Sequence, residues 1–412
     1  MAALRGIGLR VDLPLLAAVF LLSLVGLVAV YSAAEGGDVF WKQLLWVALG
    51  WGACALAAAF PYRTVVKFSW AVYLLLVVAL ALLAAEALSH GGAPRRWLSL
   101  GLFEFQPSEL AKVATVLTLA LFLDVFRRLE RISHFVLPIA VAAVPAVLVA
   151  LEPDLGTAAV FVPLLFACLY WAGAPLPYLL LLLSPLVALA VSFQLTAFLI
   201  FLGAVVVIAL IARTAWWERA FFFGVNVLAG AATPLIWGLL KGYQKARILA
   251  FLSPTADPHG AGYSIIQAKI ALGSGRLFGK GFLEGSQVHL EFVPAGHTDF
   301  VLSAWGEEFG FAGCLLVVIL FAVVVFRSFL IAYRAGDRRG SVLAFGLGTL
   351  FFTQFAVNAA MAVGLVPVTG LPLPFVSYGG SATISSFIAI GLILNVKLRR
   401  EWVAQRTRLF GY

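Results

Sequence analysis

A chain of 412 residues that is 63% hydrophobic and 11% charged is not a soluble globular protein, because soluble chains spend about a quarter of their positions on charge. The formal charge of +9 does not mark a nucleic-acid binder, since the basic residues sit in short connections and at the chain ends, where membrane topology places them. Cys54, Cys168 and Cys314 lie far apart inside apolar runs and read as buried, inert side chains rather than as a metal site or disulfide framework.

Apolar runs near the roughly 20 residues needed to cross a bilayer predict an all-α polytopic membrane protein. The candidate spans lie near 12–31, 39–60, 66–86, 108–126, 133–151, 155–172, 175–192, 195–212, 218–240, 299–325, 341–365 and 376–396. The first is too long for the apolar core of a cleavable signal and reads as a span. Pro175, Pro177, Pro185 and Pro234 make 174–240 the hardest stretch to divide, and one of its segments reads equally as a re-entrant or interfacial helix.

Arginine and lysine set the orientation. With the N-terminus in the cytoplasm, the inside connections hold Arg5 and Arg10, Arg63 and Lys67, Arg127, Arg128 and Arg131, Arg213 and Arg219, and Arg327, Arg334, Arg338 and Arg339. The tail adds Lys397, Arg399, Arg400, Arg406 and Arg408, and among the short basic connections the pair Arg95 and Arg96 is the exception. This pattern predicts an even number of spans with both termini cytoplasmic.

The outward side collects the polar residues that topology does not explain. In 87–107, Arg95 and Arg96 beside Trp97 read either as a membrane anchor or as bidentate donors to a phosphate-bearing lipid. Glu109 and Lys112 follow on one helix face, where charge is costly unless paired or turned to a polar cavity. They read as a structural ion pair or as a substrate-facing one. In Glu152-Pro153-Asp154, Asp154 suits a helix N-cap, which is compatible with a catalytic or cation-binding role.

The longest outward connection is 241–298. Asp257, before Pro258 and near Gly260 and Gly262, is held in a turn beside the membrane. Part of 264–283 suits a short amphipathic helix. Gly273, Gly275, Gly279 and Gly281, near Lys269, Arg276 and Lys280, suggest an irregular loop able to hold pyrophosphate by cations and backbone donors. His297 and Ser377, at the entrances to the next and last spans, are candidate substrate-binding residues. Gln354 and Asn358 add polar character within the bundle.

These residues resemble the SEDS family (shape, elongation, division and sporulation), and its rod-shape elongation branch more than its division branch. The resemblance rests on Trp97 to Lys112 with FQPSELAK, Pro153-Asp-Leu-Gly-Thr157, Asp257-Pro258 with Gly260-Ala-Gly-Tyr263, His297-Thr-Asp-Phe300 with Gly306-Glu-Glu-Phe-Gly310, and Pro374-Phe-Val-Ser-Tyr-Gly-Gly380. The leaning to elongation rests on Glu284-Gly-Ser-Gln287 and Phe292-Val-Pro294. The family has about ten spans, so the surplus is either a hairpin within 174–240 or a different division of that region.

The resemblance implies a SEDS-type helical bundle with a long extracytoplasmic loop. It implies polymerisation of lipid II into β-1,4-linked glycan at the outer face of the bacterial cytoplasmic membrane. The family's essential aspartate falls on Asp257, as general base. Ser253 stands where many elongation members have aspartate, which weakens a role for a further carboxylate. Glu109, Lys112 and Asp154 are supporting residues, and Arg95, Arg96, Lys269 and Lys280 candidate pyrophosphate contacts. A divalent cation, magnesium or manganese, is the alternative neutraliser of the leaving group, and no organic cofactor is expected. The implied partners are a class B penicillin-binding protein, the elongation machinery and membrane lipids. Without the motifs, broken helices and midplane polar residues would favour a transporter or lipid II flippase. A non-catalytic scaffold for the penicillin-binding protein is the third reading.

Overall fold

The structure, a computed structural model, describes residues 11–34, 36–89, 96–99, 101, 104–125, 129, 132–212, 214–253, 262–290, 292 and 296–400. Asp257 and Arg95 lie outside the described residues, as do Arg5, Arg10, Arg127, Arg128, Arg131, Arg213, Arg406 and Arg408.

Each apolar stretch read as a span is occupied by a helix. The first six are α1 (Leu13–Ala33), α2 (Asp38–Ala59), α3 (Tyr62–Ser89), α4 (Pro107–Val125), α5 (Ser133–Leu151) and α6 (Leu155–Trp171). Next come α7 (Leu176–Val191), α8 (Leu195–Ile211) and α9 (Trp216–Leu239). The segment between the ninth and tenth apolar stretches carries α10 (Gly242–Leu252), α11 (Tyr263–Ser274) and the single turn α12 (Ser286–His289). The bundle closes with α13 (Val301–Tyr333), α14 (Arg338–Ala362) and α15 (Gly380–Leu398). Among the described residues eight helices, α1, α2, α3, α5, α9, α13, α14 and α15, are long and apolar enough to cross a membrane. Helices α6, α7 and α8 are apolar but shorter, and α4 carries Glu109, Lys112 and Asp124.

Local chemistry starts several of these helices. Asp12 accepts from the Leu15 N–H at 3.1 Å ahead of Pro14, and Asp337 accepts from the Gly340 N–H at 2.9 Å; both satisfy donors that a helix start leaves orphaned. Two features differ from the sequence reading. A two-residue ladder pairs β1 (Leu98–Ser99) with β2 (Glu104–Phe105) ahead of α4. The long outward connection is also more helical than its glycines and prolines suggested, with α10 preceding the predicted short helix.

Helix α4 is the axis of the bundle, packed by α3, α5, α6, α14 and α15, and most of its length from Pro107 to Ala120 is buried. Helices α7, α8 and α9 form a side unit. Glu218 accepts from the Tyr178 hydroxyl at 3.2 Å, Asn226 donates to Ser184 at 2.8 Å, and Thr233 meets Ser192 at 2.7 Å. Such polar pairs hold helices together where hydrocarbon gives no hydrophobic drive.

Hydrogen bonds assign residues to the two ends. At one end Asp12 takes a fork from Arg327 (2.9 and 2.6 Å) and a bond from Lys397 (3.0 Å), joining α1, α13 and α15. Burial alone would raise this carboxyl, but the donors outweigh it and hold Asp12 below its usual range. Arg63 meets Asp337 (2.9 Å), Arg339 meets Asp124 (2.7 Å) and Arg338 meets the Ala172 carbonyl (2.6 Å) at the same end. The outward segments gather at the other end.

Helix α13 is not continuous. Gly310 takes φ 64° and ψ −161° and breaks it. The carbonyls of Glu307 and Glu308 accept instead from the N–H groups of Lys280 (3.0 Å) and Gly281 (3.1 Å). The N–H groups of Phe311 and Ala312 donate to the carbonyls of Arg276 (2.9 Å) and Leu277 (3.0 Å). The loop after α11 thus completes the backbone pairing that a membrane helix cannot leave open.

Candidate active site

The site grows from the turn between α5 and α6. Asp154 caps α6, accepting from the Thr157 N–H at 3.2 Å and the Thr157 hydroxyl at 3.1 Å. The helix therefore starts at its carboxylate, in the field of the helix dipole. Gly156 permits this turn to meet the 366–376 connection: a Cβ there would stand 2.2 Å from the Thr369 carbonyl oxygen.

Arg96 reaches across from the first outward loop. Its Nη2 donates to the Pro153 carbonyl at 2.6 Å, and its Nη1 stands 3.6 Å from Asp154 Oδ2. The Tyr243 hydroxyl of α10 donates to the same Pro153 carbonyl at 3.2 Å. Helix α10, which leads toward Asp257, is thereby tied to the carboxylate turn.

Two more carboxyls belong to this end. Glu152 is 1% exposed and its Oε1 has no hydrogen-bond partner among the described residues. Burial raises its carboxyl to about 8, the negative Asp154 adds to the rise, and Arg96 opposes it. Asp299, just before α13, is also raised by burial, against the opposing charge of Arg247. Its carbonyl accepts from Asn358 Nδ2 at 3.0 Å, and the same amide donates to the Leu371 carbonyl at 2.9 Å. Arg247 also approaches the Val368 carbonyl at 3.4 Å.

The remaining predicted residues have defined places. Lys112 Nζ and Glu109 Oε1 pair at 2.7 Å inside α4, 1% and 2% exposed. Ala111 and Ala114 beside them pack with Ala158 and Phe161 of α6, which sets the pair at the same end as Asp154. Lys269, on α11, is exposed and runs alongside Gly364. The His297 ring meets Tyr378 edge-on at 6.0 Å. The Ser377 hydroxyl is engaged by backbone, donating to the Thr298 carbonyl at 2.6 Å and accepting from the Leu373 N–H at 2.8 Å. Lys280 turns into the α13 break, where it pairs with Glu307. The N–H donors at 280 and 281, expected to face pyrophosphate, are taken by α13 carbonyls.

Tyr243 and Arg247 were not singled out from sequence. Their signal is a four-residue spacing, which puts two polar side chains on one helix face of an outward segment. Among the described residues no group of three or more His, Cys, Asp or Glu side chains is placed to hold a metal ion.

A family model described as "Cell cycle protein", covering FtsW, RodA and SpoVE, matches residues 8–198 and 176–401. The chain is 35% identical to the peptidoglycan glycosyltransferase MrdB of Escherichia coli K12, over 91% of this chain and 92% of that one. It is 31% identical to the peptidoglycan glycosyltransferase RodA of Treponema pallidum (94% and 98% covered). It is 33% identical to a probable FtsW of Geobacter sp. strain M18 (95% and 98%). Among solved structures it is similar to a chain from work on structural coordination of polymerization and crosslinking by a peptidoglycan synthase complex, with TM-score 0.71, 27% identity and 95% and 98% covered. It is also similar to the rod shape determining protein RodA of Thermus thermophilus, with TM-score 0.63, 25% identity and 95% and 97% covered.

Proposed function

The chain belongs to the SEDS/FtsW-RodA family of peptidoglycan glycosyltransferases and is a polytopic membrane enzyme, and from that premise we propose that it polymerises lipid II into β-1,4-linked glycan during cell elongation, with Asp257 as general base. The observation that carries this reading is the tie between Tyr243 and the Pro153 carbonyl. It fixes the helix that leads toward Asp257 onto the turn that holds Glu152 and Asp154.

In this reading the acceptor sugar's 4-hydroxyl gives its proton to the Asp257 carboxylate as its oxygen attacks the donor's anomeric carbon. The new glycosidic bond forms as the bond to the pyrophosphate oxygen breaks, with inversion. The leaving group keeps the electron pair. Arg96 and Arg247, with Arg95 and Lys269, offset the charge that develops there. Asp154 holds Arg96, and the buried Glu109–Lys112 pair supports the floor of the site. No step is assigned to a metal ion.

The enzyme sits in the bacterial cytoplasmic membrane with both termini in the cytoplasm, in keeping with the basic cluster around Asp12, Asp337 and Asp124. Its partner is a class B penicillin-binding protein, a reading supported by the similarity to a chain of a peptidoglycan synthase complex.

The test is polymerisation of lipid II by the reconstituted protein, with its partner and with or without magnesium or manganese. Asp257→Asn is expected to fold and to make no polymer. Parental polymer from that variant removes Asp257 as base. Lipid II transport without polymer from the parent sinks the polymerase assignment.

A further inference from the structure

The loop after α11 enters the break in α13 with no room to spare. A Cβ on Gly275 would stand 1.9 Å from the Gly306 carbonyl oxygen, and one on Gly279 1.9 Å from that of Glu308. Four backbone hydrogen bonds then join residues 276–281 to residues 307–312. The side chain of Glu307, 0% exposed, sits under this junction. Its Oε1 accepts from Lys280 Nζ and from the Gln287 N–H at 3.0 Å, while Lys280 also donates to Ser286 at 2.8 Å.

From this geometry we infer that Lys280 is a positioning residue rather than a contact of the pyrophosphate. Its ammonium neutralises the buried Glu307 carboxylate and so latches residues 275–287 into the broken helix. Three observations support the assignment. Lys280 pairs its ammonium with the Glu307 carboxylate, whose burial is costly for an ion. The same carboxylate oxygen anchors the start of α12 through Gln287, so one charge organises both ends of the loop. The backbone of the loop is committed to α13, which leaves its N–H groups at 280 and 281 unable to cradle an anion. Helix α11 is continuous with this latch and begins at Tyr263, six positions after Asp257. The latch therefore fixes α11, and its bearing on catalysis rests on the role proposed for Asp257.

The test compares Lys280→Met with Lys280→Met/Glu307→Gln in the full-length reconstituted protein. The single variant takes the Lys280 ammonium from a buried carboxylate, and its kcat should fall by roughly tenfold or more while KM for lipid II stays near the parent's. Glutamine in the second variant keeps an acceptor for the Gln287 N–H without charge, so it should restore most of kcat. Hydrogen exchange at residues 276–281 and 311–312 should rise in the single variant and return in the double. A double variant as inactive as the single, with raised KM, would place Lys280 on the substrate and overturn the assignment. Unchanged exchange in the single variant would overturn it as well. The exchange readout does not depend on catalysis, so failure of the Asp257 reading would leave it intact.

Discussion

Lys112 and Glu109 form an ion pair at 2.7 Å inside α4, with neither side chain more than 2% exposed. Their i,i+3 spacing made the contact possible, but the packing of α4 by five neighbouring helices made it a buried one. Removing one partner of such a pair costs about 3–5 kcal/mol, whereas replacing both with apolar residues is often near neutral. Lys112→Met should therefore lower the unfolding temperature in nanodiscs much more than Lys112→Met/Glu109→Leu. If the pair only supports the fold, the double variant should also regain polymerisation. A stable but inactive double variant would give the pair a direct role in the reaction.

Glu152 provides a pH-dependent signature. Its carboxyl is raised from the ordinary 4.5 to about 8 in the folded protein. The folded state then holds a proton that the unfolded chain has released, so stability is greatest below about 4.5 and falls as pH rises toward 8. Glu152→Gln should remove this slope and leave the protein more stable than its parent at pH 8. Parallel unfolding curves against pH for the two proteins would show that the carboxyl is ionised throughout.

Arg96 spans two acceptors at once, the Pro153 carbonyl and Asp154. A lysine is a point charge and cannot bridge both with a planar fork. Arg96→Lys should lose roughly 10- to 100-fold in kcat/KM, the worth of a charge-assisted hydrogen bond. Parental kcat/KM in the lipid II assay would mean that charge alone suffices.

At Gly156 the α6 start meets the Thr369 carbonyl with no space for a methyl group. Gly156→Ala should destabilise the protein by about 1–3 kcal/mol, as overpacking does. Because both backbones at that contact border the site, activity should fall at temperatures where the variant is still folded. Unchanged thermal unfolding would show that the 366–376 connection yields.

The membrane orientation is open to labelling. In a background without Cys54, Cys168 and Cys314, an impermeant maleimide should label Glu284→Cys in intact spheroplasts. Arg334→Cys should react only after permeabilisation. The opposite pattern would invert the topology.

Much of the scaffold was legible because crossing a bilayer is a local property. A run of apolar residues of sufficient length forms a helix whatever its neighbours do, and each predicted stretch holds one. Asp154 was legible as a cap for the same local reason. Helix α10 was not, because its glycine start and mixed polarity look like a loop, and its face is decided by contacts with Pro153 and Val368. The Lys280–Glu307 contact was not legible either, because a lysine among glycines looks free in sequence while its partner lies 27 positions away.

Sequence alone located the long apolar helices, the basic ends of the bundle and the motifs that place the chain in its family. These follow from composition and short-range spacing. Which polar residues meet was set by the packing of the helices. Tyr243 finds the Pro153 carbonyl 90 residues away, and the loop at 275–281 fills a break in α13. Those meetings depend on how helices distant in sequence pack, and on the need of every buried backbone group and charge for a partner.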